Sequence, residues 1–314
     1  MNAQFRENVE GLRFLVTGGA GFIGSHIVGA LLDNGARVAV LDDLSNGRES
    51  NLPKGNPKLE LFSGDVRTFG LDSLGKVDGI FNEAARALLP SFEDPLTDMA
   101  VNAGGTTRVL EYARKCGAKV VHASSGSVYG NPVHIPISED HPMRPISPYG
   151  VSKLASEYYC LMYKSEFGVD VTVLRYFNVY GPRQTVSEEM GVIPIFVKRA
   201  LAGQPLRVFG DGKQTRDFLN VEDVVRANFL AFKANASGSI MNIGGGGLEI
   251  SILELAKKVA GLCGSKSEVV YAPPKPGDIR RLAADSSRAG DLIGYTPTVT
   301  IDEGLKSYIE YAKR

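Results

Sequence analysis

The chain has 314 residues, 43% of them apolar and 22% charged, proportions that suit one large α/β domain or two smaller ones. Lysine plus arginine equals aspartate plus glutamate at 35 each, and this zero formal net charge argues against nucleic acid or an anionic membrane as main partner. Cys116, Cys160 and Cys263 are too widely spaced for a disulfide framework or a zinc site, and the four histidines have no metal spacing, so no metal is expected.

Met1 to Gly11 is polar and mixed in charge, without the apolar core of a signal peptide. No apolar run approaches the roughly 20 residues that span a bilayer, so a cytoplasmic protein without membrane contact is expected. Leu12 to Thr17 then predicts a strand and Ser25 to Asn34 a helix. Between them Gly19, Gly21 and Gly24 fit G-x-G-x-x-G, a turn that lets backbone approach a pyrophosphate at a helix N-terminus. Gly18, Gly21, Phe22, Ile23 and Gly24 are accordingly candidate dinucleotide contacts.

A second strand, Arg37 to Leu41, ends in Asp42-Asp43, with Asp42 18 residues beyond Gly24. An acid there accepts hydrogen bonds from a ribose and repels a 2′-phosphate, which favours NAD over NADP. Asp42 is the stronger candidate; Asp43, Asn46 and Gly47 accompany it, and Arg48 leaves NADP open. Strand-like runs follow at Leu59 to Phe62, Gly79 to Asn82, Lys119 to Ala123 and Val171 to Arg175, with helix-like stretches at Asp94 to Cys116 and Tyr149 to Phe167. The alternation predicts a doubly wound parallel sheet, whose ligands sit at the carboxyl ends of its strands. Those ends supply Asp65 and Val66, Ala84 and Ala85, and Tyr176; Asp65 suits an adenine amino group, and the two alanines give room. Asn102 is placed as a tie between this wall and the next helix.

Tyr149-Gly150-Val151-Ser152-Lys153 sets a phenol and an ammonium on one helical face. A free tyrosine has a pKa of about 10, and a nearby ammonium is expected to lower it. Ser125, 24 residues earlier at the end of the Lys119 to Ala123 strand, reaches the same site if the intervening loop folds back. In this reading Tyr149 removes a proton from a substrate alcohol beside a hydride acceptor. Ser125 orients that alcohol, and Lys153 stabilises the phenolate and binds the nicotinamide ribose.

Together TGGAGFIG, Ser125, YxxxK and RYFNVYGPRQ resemble the extended short-chain dehydrogenase/reductase family, nucleotide-sugar branch, from about Leu12 to the C-terminus. The resemblance implies a UDP-sugar 4-epimerase, most similar to the UDP-glucose enzymes, using NAD through a transient 4-keto sugar. A UDP-N-acetylglucosamine or UDP-glucuronate 4-epimerase, a nucleotide-sugar reductase or dehydratase, and a non-enzymatic dinucleotide sensor are the alternatives. Related dehydratases carry Asp-Glu, and decarboxylases a second-place Glu, where Gly126 and Ser127 stand here. Glucuronate epimerases show Thr at the place of Asn178 and Arg at that of Thr185. The resemblance further implies a homodimer built on the helices containing Leu110 and Leu154.

It also divides the chain. Residues 1–176 form the NAD domain, to which 220–244 return as a helix and a strand, and 177–219 with 245–314 bind the nucleotide sugar. Glu249 to Leu262 reads as an amphipathic helix. Asn178, Val192, Arg207, Val208, Phe209, Arg216 and Asp278 are the implied substrate contacts, with Arg216 the diphosphate clamp. Lys275 replaces a usual arginine, and Leu282 falls where room for an N-acetyl group is set. Glu83 replaces a usually apolar residue; it points outward, pairs with Arg86, or tunes the site, and the sequence does not rank these.

Overall fold

The computed structural model describes residues 9–185, 191–274 and 279–314. Six strands, β1 (Arg13–Thr17), β2 (Arg37–Asp42), β3 (Leu59–Ser63), β4 (Gly79–Asn82), β5 (Lys119–Ser125) and β6 (Val171–Tyr176), join Ile240–Ile243 in one parallel sheet. Its order is 240–243, β6, β5, β4, β1, β2, β3, the doubly wound topology. Chain order reverses between β1 and β4, and a crevice opens there at the carboxyl ends.

Alternation along the strands explains why both faces are covered. Phe14, Val16, Val38, Val40, Phe81 and Val121 pack into one core with helix α1 (Phe22–Asp33) and helix Val221–Lys233. Leu15, Ala39, Leu41, Ile80, Val120 and Val173 pack into the other. That second face is covered by α4 (Thr106–Cys116) and α5 (Pro148–Phe167). Gly79 is glycine because a Cβ would stand 2.5 Å from the Phe232 ring, inside the first core.

The stretch expected as one helix from Asp94 is interrupted. Two short helices, α2 (Leu88–Glu93) and α3 (Pro95–Met99), lead into a wide π-type turn over Ala100–Gly105 before α4 begins. Asn102 stands in that turn, fully buried. It accepts from the Arg86 N–H and donates to Asp98 and Ser152 over 2.8, 2.9 and 2.9 Å. These tertiary bonds outcompete regular helical pairing, and Asn102 ties the β4 end to α5.

Beyond β6 a smaller core gathers Tyr180, Phe196, Val208, Leu255 and Tyr308. Helix Val192–Leu201 packs on helix Ile252–Cys263 over paired strands Leu206–Phe209 and Val269–Ala272. The expected helix from Glu249 starts later. Glu249–Ser251 form a strand antiparallel to Thr215–Asp217, and Ser251 caps the helix from Ile252 in a capping box with Glu254. Among the described residues no helix is long and apolar enough to cross a membrane, and no cluster of three metal-binding side chains occurs.

One buried ion pair staples β6 to α5. The Arg175 guanidinium donates to both Glu157 oxygens over 2.8 and 2.6 Å, with side chains 3% and 2% exposed. Tyr129 accepts a further bond from Arg175 and donates to Asn242 on the outer strand. Removing one partner leaves a buried charge uncompensated. We predict that Glu157→Gln lowers unfolding free energy in urea by about 3–5 kcal/mol; a loss below about 1 kcal/mol would show the pair to be dispensable.

Candidate active site

The glycine turn builds one wall of a cavity of about 570 Å3 at the β1/β4 switch point. Gly18 has φ +64°, and a Cβ there would lie 2.8 Å from the Ala84 nitrogen; at Gly24 it would lie 2.3 Å from the Gly18 oxygen. Only bare backbone fits between β1, α1 and the β4 end. Gly21 caps α1 with no side chain, so the first-turn N–H groups of Phe22, Ile23 and Gly24 face the cavity as an anion cradle.

Asp42 closes β2 with its carboxylate accepting from the N–H groups of Ala20 and Leu44 over 2.9 and 2.8 Å. Burial pushes its pKa up while those bonds oppose the rise. Gly47 lies against it, where a Cβ would come 2.6 Å from Oδ1. Asp43, Asn46, Asp65, Val66, Ala84, Ala85 and Tyr149 line the same cavity. Asp65 is clamped by Arg67 over 2.6 Å, which fixes its direction. Arg67 and Arg86 also line the space; Arg67 carries no motif, and the sequence marks Arg86 only as a partner for Glu83. The donor set suits a dinucleotide: backbone N–H groups for a diphosphate, and a buried acid at the end of the next strand for a ribose.

Tyr149 is the second residue of α5. Ser147 caps that helix by accepting from the Gly150 N–H over 3.1 Å, and Pro148 opens it. One helical turn on, Lys153 is 1% exposed and donates to the Ala123 carbonyl over 2.8 Å. Its ammonium lies 5.9 Å from the Tyr149 ring centre. Ser125 ends β5, within hydrogen-bonding reach of the phenol, while its hydroxyl accepts from the Ser127 N–H over 3.1 Å. Ser125 and Lys153 thus meet at Tyr149, which is the one of the three that lines the cavity.

Their electrostatics differ from the expectation. Burial pushes the Tyr149 phenol up to about 12; the Ser125 hydroxyl opposes the rise, and the anions Asp98 and Glu83 add to it. Burial draws Lys153 down to about 8 against Glu83, Asp98 and Glu157. Desolvation, helped by the two anions, outweighs the Ser125 hydrogen bond in the protein alone.

Glu83 points inward. Its carboxylate accepts from the Tyr176 phenol over 2.9 Å, while Arg86 turns to the Pro90 carbonyl. Tyr176 lies behind the cavity wall, 8% exposed, so it reaches the pocket through Glu83. Gly126 sits against Phe177, where a Cβ would come 2.8 Å from the ring. A side chain there, an acid included, requires the buried Phe177 ring to shift.

A second cavity, of about 370 Å3, begins at Asn178, two residues past β6. Val192, Arg207, Phe209 and Arg216 line it with Asn178, and Gln184, Gln214 and Phe218 join them. Asn178 has φ +42° and donates to the Asp217 carbonyl. Arg216 is oriented by the carbonyls of Thr215 and Ile279 over 2.8 and 2.7 Å. The Val208 side chain faces the other way, into the core, because strand residues alternate; only its backbone can serve this cavity. Leu282 packs with Val128 and Phe177. Lys275 and Asp278 lie outside the described residues.

Comparison with known proteins bears on this geometry. UDP-glucose 4-epimerase of Mycolicibacterium smegmatis is 42% identical over 308 residues, 96% of this chain and 98% of that protein. The crystal structure of UDP-glucose 4-epimerase of Thermotoga maritima with UDP-glucose superposes with a TM-score of 0.90 at 38% identity, covering 96% of this chain and 99% of that one. The enzyme of the same name from Thermus thermophilus, in complex with NAD, gives 0.86 at 37%, again over 96% and 99%. The family model for the NAD dependent epimerase/dehydratase family matches residues 14–244. This chain belongs to the NAD dependent epimerase/dehydratase family.

Proposed function

We propose that the protein is an NAD-dependent UDP-sugar 4-epimerase acting on UDP-glucose and UDP-galactose. The observation that carries this reading is the grouping of Ser125 and Lys153 about Tyr149, which lines the glycine-turn cavity, with the absence of any acid at Gly126 and Ser127. Bound there, an oxidised nicotinamide supplies a reversible hydride acceptor. Tyr149 takes the proton of the sugar C4 hydroxyl and returns it after the ketone has presented its other face. Ser125 fixes the hydroxyl by hydrogen bonding, and the Lys153 ammonium, anchored on Ala123, favours the phenolate.

With no carboxyl at 126 or 127 to drive elimination or loss of carboxylate, reversal is the remaining outcome for the ketone. The nucleotide suits the second cavity: the Arg216 guanidinium and Arg207 for the diphosphate, Phe209 for the flat base. Asn178 and Thr185 offer no cation to a sugar carboxylate, which favours a neutral hexose. Incubation with UDP-glucose and chromatography of the nucleotide sugars tests the reading. Conversion to UDP-galactose without net change in reduced-nicotinamide absorbance is expected; stoichiometric redox change would favour a dehydrogenase instead. Tyr149→Phe is expected to slow conversion by roughly 10²- to 10⁴-fold with binding of UDP-glucose retained.

We propose further that the protein forms a homodimer through α3 and α5. Leu96 and Met99 on α3, and Val151 and Tyr158 on α5, are 76%, 56%, 55% and 57% exposed, and the two helices pack together. Large apolar side chains grouped on adjacent helices mark an interaction surface. Leu110 is fully buried and Leu154 partly so, so neither supplies that surface. Light scattering should give twice the 33.7 kDa chain mass, and Tyr158→Glu should give the monomer; a monomeric wild type would end the proposal.

A further inference from the structure

Glu83 stands at the carboxyl end of β4 and lines the dinucleotide-shaped cavity beside Tyr149. A relay of hydrogen bonds fixes it from behind. Asn228, fully buried on helix Val221–Lys233, donates to the Tyr176 oxygen over 2.7 Å, and the Tyr176 hydroxyl donates to the Glu83 carboxylate over 2.9 Å. The carboxylate acts on Lys153 and on Tyr149 across the site.

The other groups near Lys153 are already engaged. Asp98 accepts from Ser152 and Asn102 over 2.6 and 2.9 Å, and Glu157 is held by Arg175. His122 is bonded to Asn82 and Ser156 and kept neutral by burial; burial likewise pushes the Cys160 thiol up. Of the carboxylates acting on Lys153, Glu83 is the one that also lines the cavity.

We infer that Glu83 is a positioning residue whose carboxylate holds Lys153 as the ammonium and so sets the alkaline limit of the working pH range. The inference rests on the reading of Tyr149 and Lys153 as the catalytic pair. A negative charge facing an ammonium raises its pKa, and removal of that charge lowers it. Burial places the Glu83 carboxyl itself at about 7, with the Tyr176 hydrogen bond and the Lys153 charge opposing the rise. Above that pH Glu83 is an anion, in the region where Lys153, at about 8, gives up its proton. The charge is therefore present where the ammonium needs it.

Two measurements test this, one of them independent of turnover. In the pH profile of kcat, Glu83→Gln should bring the alkaline limb down by about one unit, whereas loss of packing alone would lower the profile without moving its limbs. The second is thermal melting without substrate. A Glu raised from 4.5 to about 7 on folding makes the folded chain bind an extra proton between those values, so wild type loses stability there as pH rises. Glu83→Gln lacks that loss, and its melting temperature should gain on wild type from about pH 5 to about pH 8. A melting difference that stays flat across this window overturns the inference, as does an unmoved alkaline limb. A melting difference that still grows between about pH 7 and about pH 8, where Lys153 titrates, in a chain that converts no UDP-sugar counts against the proposed function and supports the coupling. Growth that stops at about pH 7 reports the burial of Glu83 alone and overturns the inference. Should Glu83→Gln not fold, Tyr176→Phe removes the bond that lowers Glu83 and must shift the alkaline limb the same way by a smaller amount; no shift in that variant likewise overturns the inference.

Discussion

A buried ammonium is the constraint from which the site follows. Lys153 is shut from water and keeps one backbone partner, the Ala123 carbonyl. An isolated charge there would be prohibitively costly, so the surrounding structure supplies acids. Glu83 directly follows β4, Asp98 lies on α3 and Glu157 on α5, so three elements contribute charge to the balance of Lys153. Each acid has its own bonds to other elements, so the charge balance also fixes the packing of helices on the sheet edge.

The same arrangement shows what a bound cofactor must contribute. In the protein alone the phenol is harder to ionise than free tyrosine, because burial and two anions outweigh Ser125. A positive charge entering the cavity beside Tyr149 would work against all three. In the proposed role of Tyr149 as base, the protein alone therefore holds the phenol in its protonated form.

Much of this was legible in the residues because it is local. The glycine turn needs backbone approach within a few residues, Asp42 lies at a strand end, and Tyr149 and Lys153 are one helical turn apart. What escaped depends on partners far along the chain. The break at Ala100–Gly105 follows from bonds that Asn102 makes to Ser152, 50 residues on. Glu249–Ser251 became a strand because Thr215–Asp217 offered an edge. The direction of Glu83 is set by Tyr176, 93 residues away, and by Asn228 behind it. No local pattern encodes such pairings, whereas alternation of apolar residues did encode the sheet.

Gly126 and Ser127 stand next to each other but differ in what they permit. The Phe177 ring fills the space that any side chain at 126 would need, while Ser127 already carries a hydroxyl bonded to Ser125. Position 127 accepts a side chain as it stands, while one at 126 displaces the Phe177 ring. The two places where related enzymes carry acids are therefore unequal in this chain: 127 is open to a longer side chain, and 126 is controlled from position 177.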